Sequence, residues 1–309
     1  MNTPAATYAT ENGFNSHYAG EIEPALVALE ALRKKRVRFV AGLAGLGAVG
    51  FGALAILAQM GQTDSAVALA AFAVGFGGML GAGLAYLGLT DRYKQVLTGG
   101  VCAYLGFEYT LRKFEFPLTR FKPLLPFYTS VKLEDRIDGH VDGVDFELCE
   151  GKFSKKKAKW RALMLVYSFS KPFNGETTIV ADTDWIGNAL EQHRQNGERV
   201  RLEDPRFEDR FNVFSTDQIE ARYLLTPRFM ERIMELTERL NNRRGVALAF
   251  VDNRLLITIR IGSAARRFEI GNVFREVRDG KERARNLLAE LELVTDVIDS
   301  LKLSATGHA

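Results

Sequence analysis

The sequence predicts a membrane-anchored α+β protein: a two-helix transmembrane hairpin followed by a cytosolic, mostly antiparallel β-sheet domain with helices. Three observations predict it. Phe39 to Ala58 and Ala66 to Leu89 are charge-free runs of 20 and 24 residues, and crossing a bilayer core takes about 20 helical residues. From Val131 onward, period-two patterns joined by turn signals dominate. An amphipathic helical pattern from about Lys281 to Leu303 closes the chain.

Over 309 residues the chain is 47% hydrophobic and 26% charged, with a net charge of +3. That balance excludes collagenous, disulfide-scaffold and wholly disordered classes, and the unbroken apolar runs exclude a porin-like barrel, whose strands alternate. The charge is too small to call for a nucleic-acid partner. Cys102 and Cys149 lack metal-like spacing and fit a reduced compartment.

The predicted boundaries are a mobile tail over 1–20, a lead-in helix and transmembrane hairpin over 21–95 with spans 39–58 and 66–89, and a cytosolic domain over 96–309. Ile22, Leu26 and Leu29 place the lead-in helix ahead of a basic cluster, Arg33, Lys34, Lys35, Arg36 and Arg38. Inside hydrocarbon the backbone must satisfy its own hydrogen bonds, so both runs are expected as helices. The competing readings are two buried core helices of a soluble protein and a cleaved signal. Against the signal, 38 residues with Glu21, Glu23 and Glu30 precede the first run. Arg92 and Lys94 follow the second run, whereas the loop Gln59 to Ser65 carries no basic residue. The positive-inside rule then places both termini in the cytoplasm.

Small residues recur every fourth position, at Ala44, Ala48 and Gly52 and at Ala73, Gly77, Gly81 and Ala85. Such faces let helix backbones approach closely. They serve either to pack the two spans together or to build a homo-oligomer. Gly45, Gly47 and Gly50 spell G-x-G-x-x-G, but within an apolar span with no preceding strand they predict no nucleotide. The second helix is expected to run on through Tyr93, Leu97 and Val101, weakened at Gly99-Gly100.

Pro117, Pro123 and Pro126 among Phe114, Phe116, Phe121 and Phe127 predict extended chain packed on the domain that follows. Asp142-Gly143 marks a hairpin between Arg136–Val141 and Val144–Glu150, because both central positions need φ > 0. Trp160–Ser170 and Thr177–Ala181 read as strands around an Asn174-Gly175 turn, with Phe211–Phe214 as another short strand. Thr226-Pro227 caps a helix bearing Phe229, Ile233, Leu236 and Leu240 on one face. Val246–Val251 and Leu255–Ile261 form a second hairpin about Asp252-Asn253. In the last helix Leu287, Leu291, Val294, Ile298 and Leu301 could form a coiled-coil seam, while Leu288, Leu293 and Val297 widen the stripe towards a sheet-packing face.

Lys152, Lys155, Lys156, Lys157 and Lys159 sit in the predicted loop between two strands. They are either a solubilising tip or a clamp on anionic lipid heads, where each lysine is worth ~1 kcal/mol.

Several blocks carry a resemblance: Glu134-Asp135-Arg136-Ile137-Asp138-Gly139, Phe173-Asn174-Gly175, Phe211-Asn212-Val213-Phe214-Ser215, and the run from Glu220 through Ala221-Arg222-Tyr223-Leu224-Leu225-Thr226-Pro227 to Met230. With two N-terminal spans, the chain resembles the bacterial membrane family known as domain of unknown function 3137, over roughly residues 90 to 265. The resemblance implies a bacterial inner-membrane location and this topology, and supplies no site.

His140 beside Asp138 and Asp142 is the nearest approach to a metal or acid–base cluster, but the spacing supplies no convergent ligand set. Asp182 and Asp184 form a D-x-D without a nucleotide-binding feature, and no hydrolase, zinc or Walker signature is present. No catalytic residue, metal or cofactor is therefore expected. Three functions remain: a non-enzymatic scaffold or assembly protein presenting its cytosolic domain to a protein partner; an anionic-lipid-headgroup sensor; and a membrane-proximal hydrolase or transferase resting on Asp138, His140 and Asp182.

Overall fold

The computed structural model describes residues 11–61, 66–181, 197–239, 245–261 and 279–305. The chain forms two compact units: Glu11–Gly100 with the start of the last helix up to Ala284, and Val101 onward with Arg285 to the end.

The first unit is helical. It comprises α1 (Glu11–His17), a π-helical turn (Tyr18–Ile22), α2 (Glu23–Gln59) and α3 (Ala66–Leu105), the last crossing into the second unit. Residues 11–20, expected within a mobile tail, are helical. Phe14, Tyr18 and Ile22 are four apart and form a buried stripe, so two aromatics and one isoleucine supply what a count of aliphatics overlooks. Gly100 explains itself here: a Cβ at that position would lie 2.6 Å from Ile22 Cγ1. Next to it, His17 Nε2 stands 3.0 Å from the Gly100 carbonyl oxygen. Arg33 donates from Nε to Glu30 at 2.7 Å, and the Tyr93 hydroxyl donates to the same carboxylate at 3.1 Å, tying α2 to α3. The two hydrogen bonds hold the Glu30 carboxyl below its usual range, burial opposing them.

Glycine sets the main contact between these helices. A Cβ on Gly50 would fall 2.6 Å from the Gly75 amide nitrogen, and one on Gly78 would fall 2.5 Å from the Leu43 carbonyl. A Cβ on Gly47 would fall 3.1 Å from the Gly75 carbonyl oxygen. Two glycines of the apparent dinucleotide fingerprint thus serve helix packing, where backbones touch. By contrast, a Cβ at Gly77 or Gly52 meets nothing within 4 Å. Large apolar side chains point outward around the pair, among them Phe39, Val49, Ile56, Leu69, Phe76 and Met79. Among the described residues one helical run, Asn12–Gln59, is long and apolar enough to cross a bilayer, and a shorter apolar stretch spans Ala66–Gly81.

The second unit is built on a nine-stranded sheet in the order β1-β2-β3-β4-β9-β8-β5-β7-β6. The strands are β1 (Glu108–Thr110), β2 (Ser130–Val141), β3 (Val144–Lys155), β4 (Ala158–Ser168), β5 (Thr177–Ala181), β6 (Glu198–Val200), β7 (Phe211–Ser215), β8 (Val246–Val251) and β9 (Arg254–Ile261). Every pairing is antiparallel. The helices are α4 (Pro205–Glu208), α5 (Gln218–Leu224), α6 (Pro227–Arg239) and α7 (Gly280–Ala305). Asp142 and Gly143 adopt φ of +51° and +83°, the turn their identities foretell.

One sheet face buries Cys149, Phe153, Met164, Val166, Ala247 and Leu256 beneath Phe121, Leu124 and Leu125. The covering segment is the proline-rich stretch. It packs as expected, but Leu118–Leu124 is a short 3-10 helix rather than extended chain. On the opposite face the Phe229 ring of α6 lies 5.6 Å from that of Phe250. Tyr167, wholly buried, donates its hydroxyl to the Val294 carbonyl of α7 at 2.9 Å. Leu291, Val294, Val297 and Ile298 are buried with it. The stripe that could have been a coiled-coil seam is therefore buried from Leu287 to Ile298, and the Leu301 side chain lies outside the described residues.

Candidate functional site

The lysine cluster is not a loop. β3 runs on to Lys155 and β4 begins at Ala158, leaving a turn of Lys156 and Lys157 with Lys156 at φ +52°. Lys152 and Lys159 are therefore strand residues, facing Arg161 and Ser154 across the ladder. Lys155, Lys156, Lys157 and Lys159 are exposed. Lys155 Nζ stands 5.1 Å from the centroid of the Phe127 ring, itself 70% exposed.

Behind the tip is a groove of about 410 Å³ lined by Lys152, Ser154, Lys159, Arg161, Arg260 and Ile261, with Phe153 and Trp160. Its floor follows from strand register. Lys152, Arg161 and Ile261 lie in one row across β3, β4 and β9, and Arg161↔Ile261 is the last described β4–β9 pair. β4 continues past that point through Trp160 and Lys159. The Trp160 ring stacks on Phe153 at 5.8 Å with 10° between planes, and its indole N–H is buried with no hydrogen-bond partner among the described residues.

Two buried carboxylates underlie the groove, Glu134 and Glu150, directly opposite each other on β2 and β3. Lys132 and Lys152 each reach Glu134 at 2.6 Å, and Arg161 Nε lies 3.1 Å from Glu150. Lys152, Lys159, Arg161 and Arg260 line the groove, and Lys132 reaches Glu134 from outside it. Burial favours the protonated Glu134, but the two lysines outweigh it and hold its carboxyl down to about 2.

That gives a sign. A carboxyl depressed on folding stabilises above its ordinary value near 4.5 and loses this as pH falls towards about 2. Glu134→Gln is expected to cost about 1–3 kcal/mol at neutral pH, the range for hydrogen bonds to charged groups. It should also flatten the acid limb of stability below pH 4.5. Denaturant titrations at stepped pH measure both, and superimposable acid limbs would remove Glu134 from the account.

The other sequence candidates disperse. His140 Nδ1 pairs with Asp145 at 2.6 Å on the exposed hairpin, while Asp138 is held by Arg136 at 2.7 Å. Burial raises the Asp138 carboxyl, Arg136 opposing it. Asp182 and Asp184 lie outside the described residues; among the described residues no group of three or more His, Cys, Asp or Glu is placed to hold a metal. Both cysteines are buried; this pushes the Cys102 thiol up to about 12 and Cys149 well above its usual value, against nucleophilic use. Of the small-residue face, Ala73 and Gly77 are exposed and a Cβ on Gly81 would meet only the Leu43 Cδ1 tip, at 3.3 Å.

The blocks that carried the resemblance are architectural. Asp135 is a fully buried bulge residue at φ +58°, held by the Tyr109 hydroxyl at 2.6 Å, and a Cβ on Gly139 would strike Phe146 at 2.4 Å. Asn174 bonds Glu220 through both its amide nitrogens at 3.3 Å. Ser215 joins Thr177 at 2.8 Å and accepts from the Asp217 amide at 3.0 Å. Thr226 caps α6 through the Phe229 amide. Arg222 donates to the Gln218 carbonyl of its own helix. Sequence reasoning missed Arg161, Arg260 and Trp160. The alternation of Lys159 with Arg161 was a usable signal; Arg260 comes from a distant strand and gave none.

Residues 159–303 match the model of a family described as Protein of unknown function (DUF3137). The match extends past the expected resemblance into α7, and leaves out the Glu134–Gly139 block. No curated protein matches the chain. Among solved structures, the crystal structure of the mycobacterial trehalose monomycolate transport factor A, TtfA, is similar at 11% identity, covering 66% of this chain and 94% of that one, with a TM-score of 0.32. That likeness is too distant to carry fold or function across.

Proposed function

We propose that the protein is a non-enzymatic scaffold or assembly protein of the bacterial inner membrane. In this reading α2 and α3 cross the bilayer as a hairpin, both termini are cytoplasmic, and the nine-stranded domain is presented to a protein partner. The observation that carries it is the collar of outward apolar side chains around a glycine-packed helix pair: Phe39, Val49, Ile56, Leu69, Phe76 and Met79 are all exposed. Water would charge ~25 cal/mol per Å² for that surface; acyl chains would not. The match of residues 159–303 supports the bacterial setting through the resemblance. The basic residues flanking both helices, and the loop without any, support the orientation.

The helix pair also supports self-association. Its internal contact uses Gly47, Gly50, Gly75 and Gly78, which leaves Ala73 and Gly77 facing outward for a second copy.

A C-terminal fusion active only in the cytoplasm is expected to report, and one active only in the periplasm is expected to stay silent. Periplasmic activity would end the model, and a protein released from membranes by alkaline carbonate would end the anchoring itself.

A further inference from the structure

We propose that the open edge of β2, Ser130–Leu133, takes an extended acidic segment of a partner protein as an added strand, with Phe127 and the lysines of the β3–β4 turn engaging its side chains. This names the kind of protein partner in the scaffold reading and rests on that reading.

β1 pairs with β2 over Arg136–Asp138, and the Asp135 amide donates to the Leu111 carbonyl at 3.1 Å. From Leu133 back to Ser130, β2 has β3 on one side and no strand on the other among the described residues. In an antiparallel pair every second residue turns its N–H and C=O away from the partner strand, so half of these backbone groups face outward. None of the four residues makes a backbone hydrogen bond outside the β2–β3 ladder. Val131 and Leu133 pack against the core beneath Phe121. The edge is therefore a fixed template, and a strand added to it costs the sheet little ordering. Lysines often guard such edges; here Lys132 is drawn along its own strand to Glu134, at 2.6 Å.

Charge selects the occupant. Lys155, Lys156, Lys157 and Lys159 are exposed, and none of them forms an ion pair among the described residues. Ser130 pairs with Ser154, and the Thr129 amide donates to the Ser154 carbonyl at 2.9 Å, so this edge begins beside the turn that carries the lysines. The Phe127 ring, 70% exposed and 5.1 Å from Lys155 Nζ, stands at the same end. Aromatic side chains of this kind anchor protein interfaces. A strand added along the four edge residues spans about 13 Å, at about 3.3 Å per residue, and a few residues more bring it to the lysines. A second copy matches poorly, since it offers the same basic edge. A polyanion with no strand-forming backbone would use the lysines and leave the edge open.

The probe is a fluorescein-labelled octapeptide of alternating threonine and glutamate, titrated by anisotropy into the full-length protein in a neutral detergent. It should bind, and the same peptide with lysine for glutamate should not. N-methylating its backbone amides keeps the charges but removes the strand's donors, and should weaken binding about tenfold. Lys155→Glu with Lys157→Glu should weaken the unmodified peptide about tenfold, while Lys155→Arg with Lys157→Arg should keep most of the affinity. Hydrogen exchange locates the contact. Peptide at about ten times its Kd should slow the outward amides of Ser130–Leu133 about tenfold, and leave the opposite sheet edge, Glu198–Val200, unchanged. An acidic peptide that does not bind overturns the proposal. So does equal binding of the N-methylated peptide, or unaltered exchange in β2, since the lysines would then hold any polyanion. Protection of β2 that rises with protein concentration in the absence of peptide overturns it in favour of a second copy. The anchored scaffold reading fails by different results, carbonate release or a periplasmic C-terminus.

Discussion

Gly78→Leu is expected to separate α2 from α3. A Cβ at Gly78 falls 2.5 Å from the Leu43 carbonyl and 2.9 Å from the Gly47 amide nitrogen, and both obstacles are backbone. No rotamer change relieves that, so the helices must move apart, and the Gly50–Gly75 contact goes with them. Overpacking ordinarily costs about 1–3 kcal/mol where side chains can yield; here the cost should exceed that range. A disulfide between cysteines placed at Phe51 and Phe72, whose rings stand 6.4 Å apart, reports the pairing directly. It should form in the parent and fail with Gly78→Leu. Gly77→Leu with Gly81→Leu is the contrasting pair. Gly77 has open space and Gly81 meets only a leucine tip, so the intrachain disulfide should persist while cross-linked homo-oligomers disappear. A disulfide indifferent to Gly78→Leu would refute the helix contact. A parent protein that is a clean monomer would refute the oligomer.

That contrast marks how far the sequence could be read. Small residues every fourth position show that α3 has a close-packing face, but Ala73-Gly77-Gly81 and Ala71-Gly75 satisfy the same rule on neighbouring faces. Only the identity of the partner backbone separates them, and that is a property of two helices together. The hairpin at Asp142-Gly143 was legible because both residues favour φ > 0 locally. The one at Lys156-Lys157 was not: lysine at φ +52° is held there by the β3–β4 ladder on either side, with no local preference to announce it.

The site divides along the same line. Lys152, Lys155, Lys156, Lys157 and Lys159 stood out as a charge run, yet the run alone could not distinguish a solubilising tip from a groove wall. The distinction comes from Glu134 and Glu150 beneath it and from Arg260 beside it, contributed by β2, β3 and β9. Short elements were lost for a different reason. β1, β6 and α4 span three or four residues each, too few for any periodicity to register.

Phe250→Ala is expected to be the most damaging single truncation in the sheet domain. Phe250 is fully buried, with the Phe173 ring at 5.1 Å nearly perpendicular to it and the Phe229 ring at 5.6 Å. It is the point where three separate stretches meet: the turn before β5, the strand β8 and the helix α6. Removing the ring loses its transfer free energy and leaves a cavity that a hydrogen-bonded central strand cannot collapse to fill. Losses of about 3–5 kcal/mol are usual for such sites. Pairing of Phe250 with Thr177 and Leu255 through the backbone should survive, because the substitution leaves every ladder group in place. The damage should therefore appear first at α6, whose Phe229 loses its main aromatic neighbour. Hydrogen exchange on the full-length protein in detergent should show α6 amides losing protection before those of β8 and β9. Ile219→Ala, at a position 82% exposed, supplies the control and should change stability by less than about 0.5 kcal/mol. If denaturant unfolding of the sheet domain places the two variants within about 1 kcal/mol of each other, well under the usual cavity cost, Phe250 does not hold α6 to the sheet.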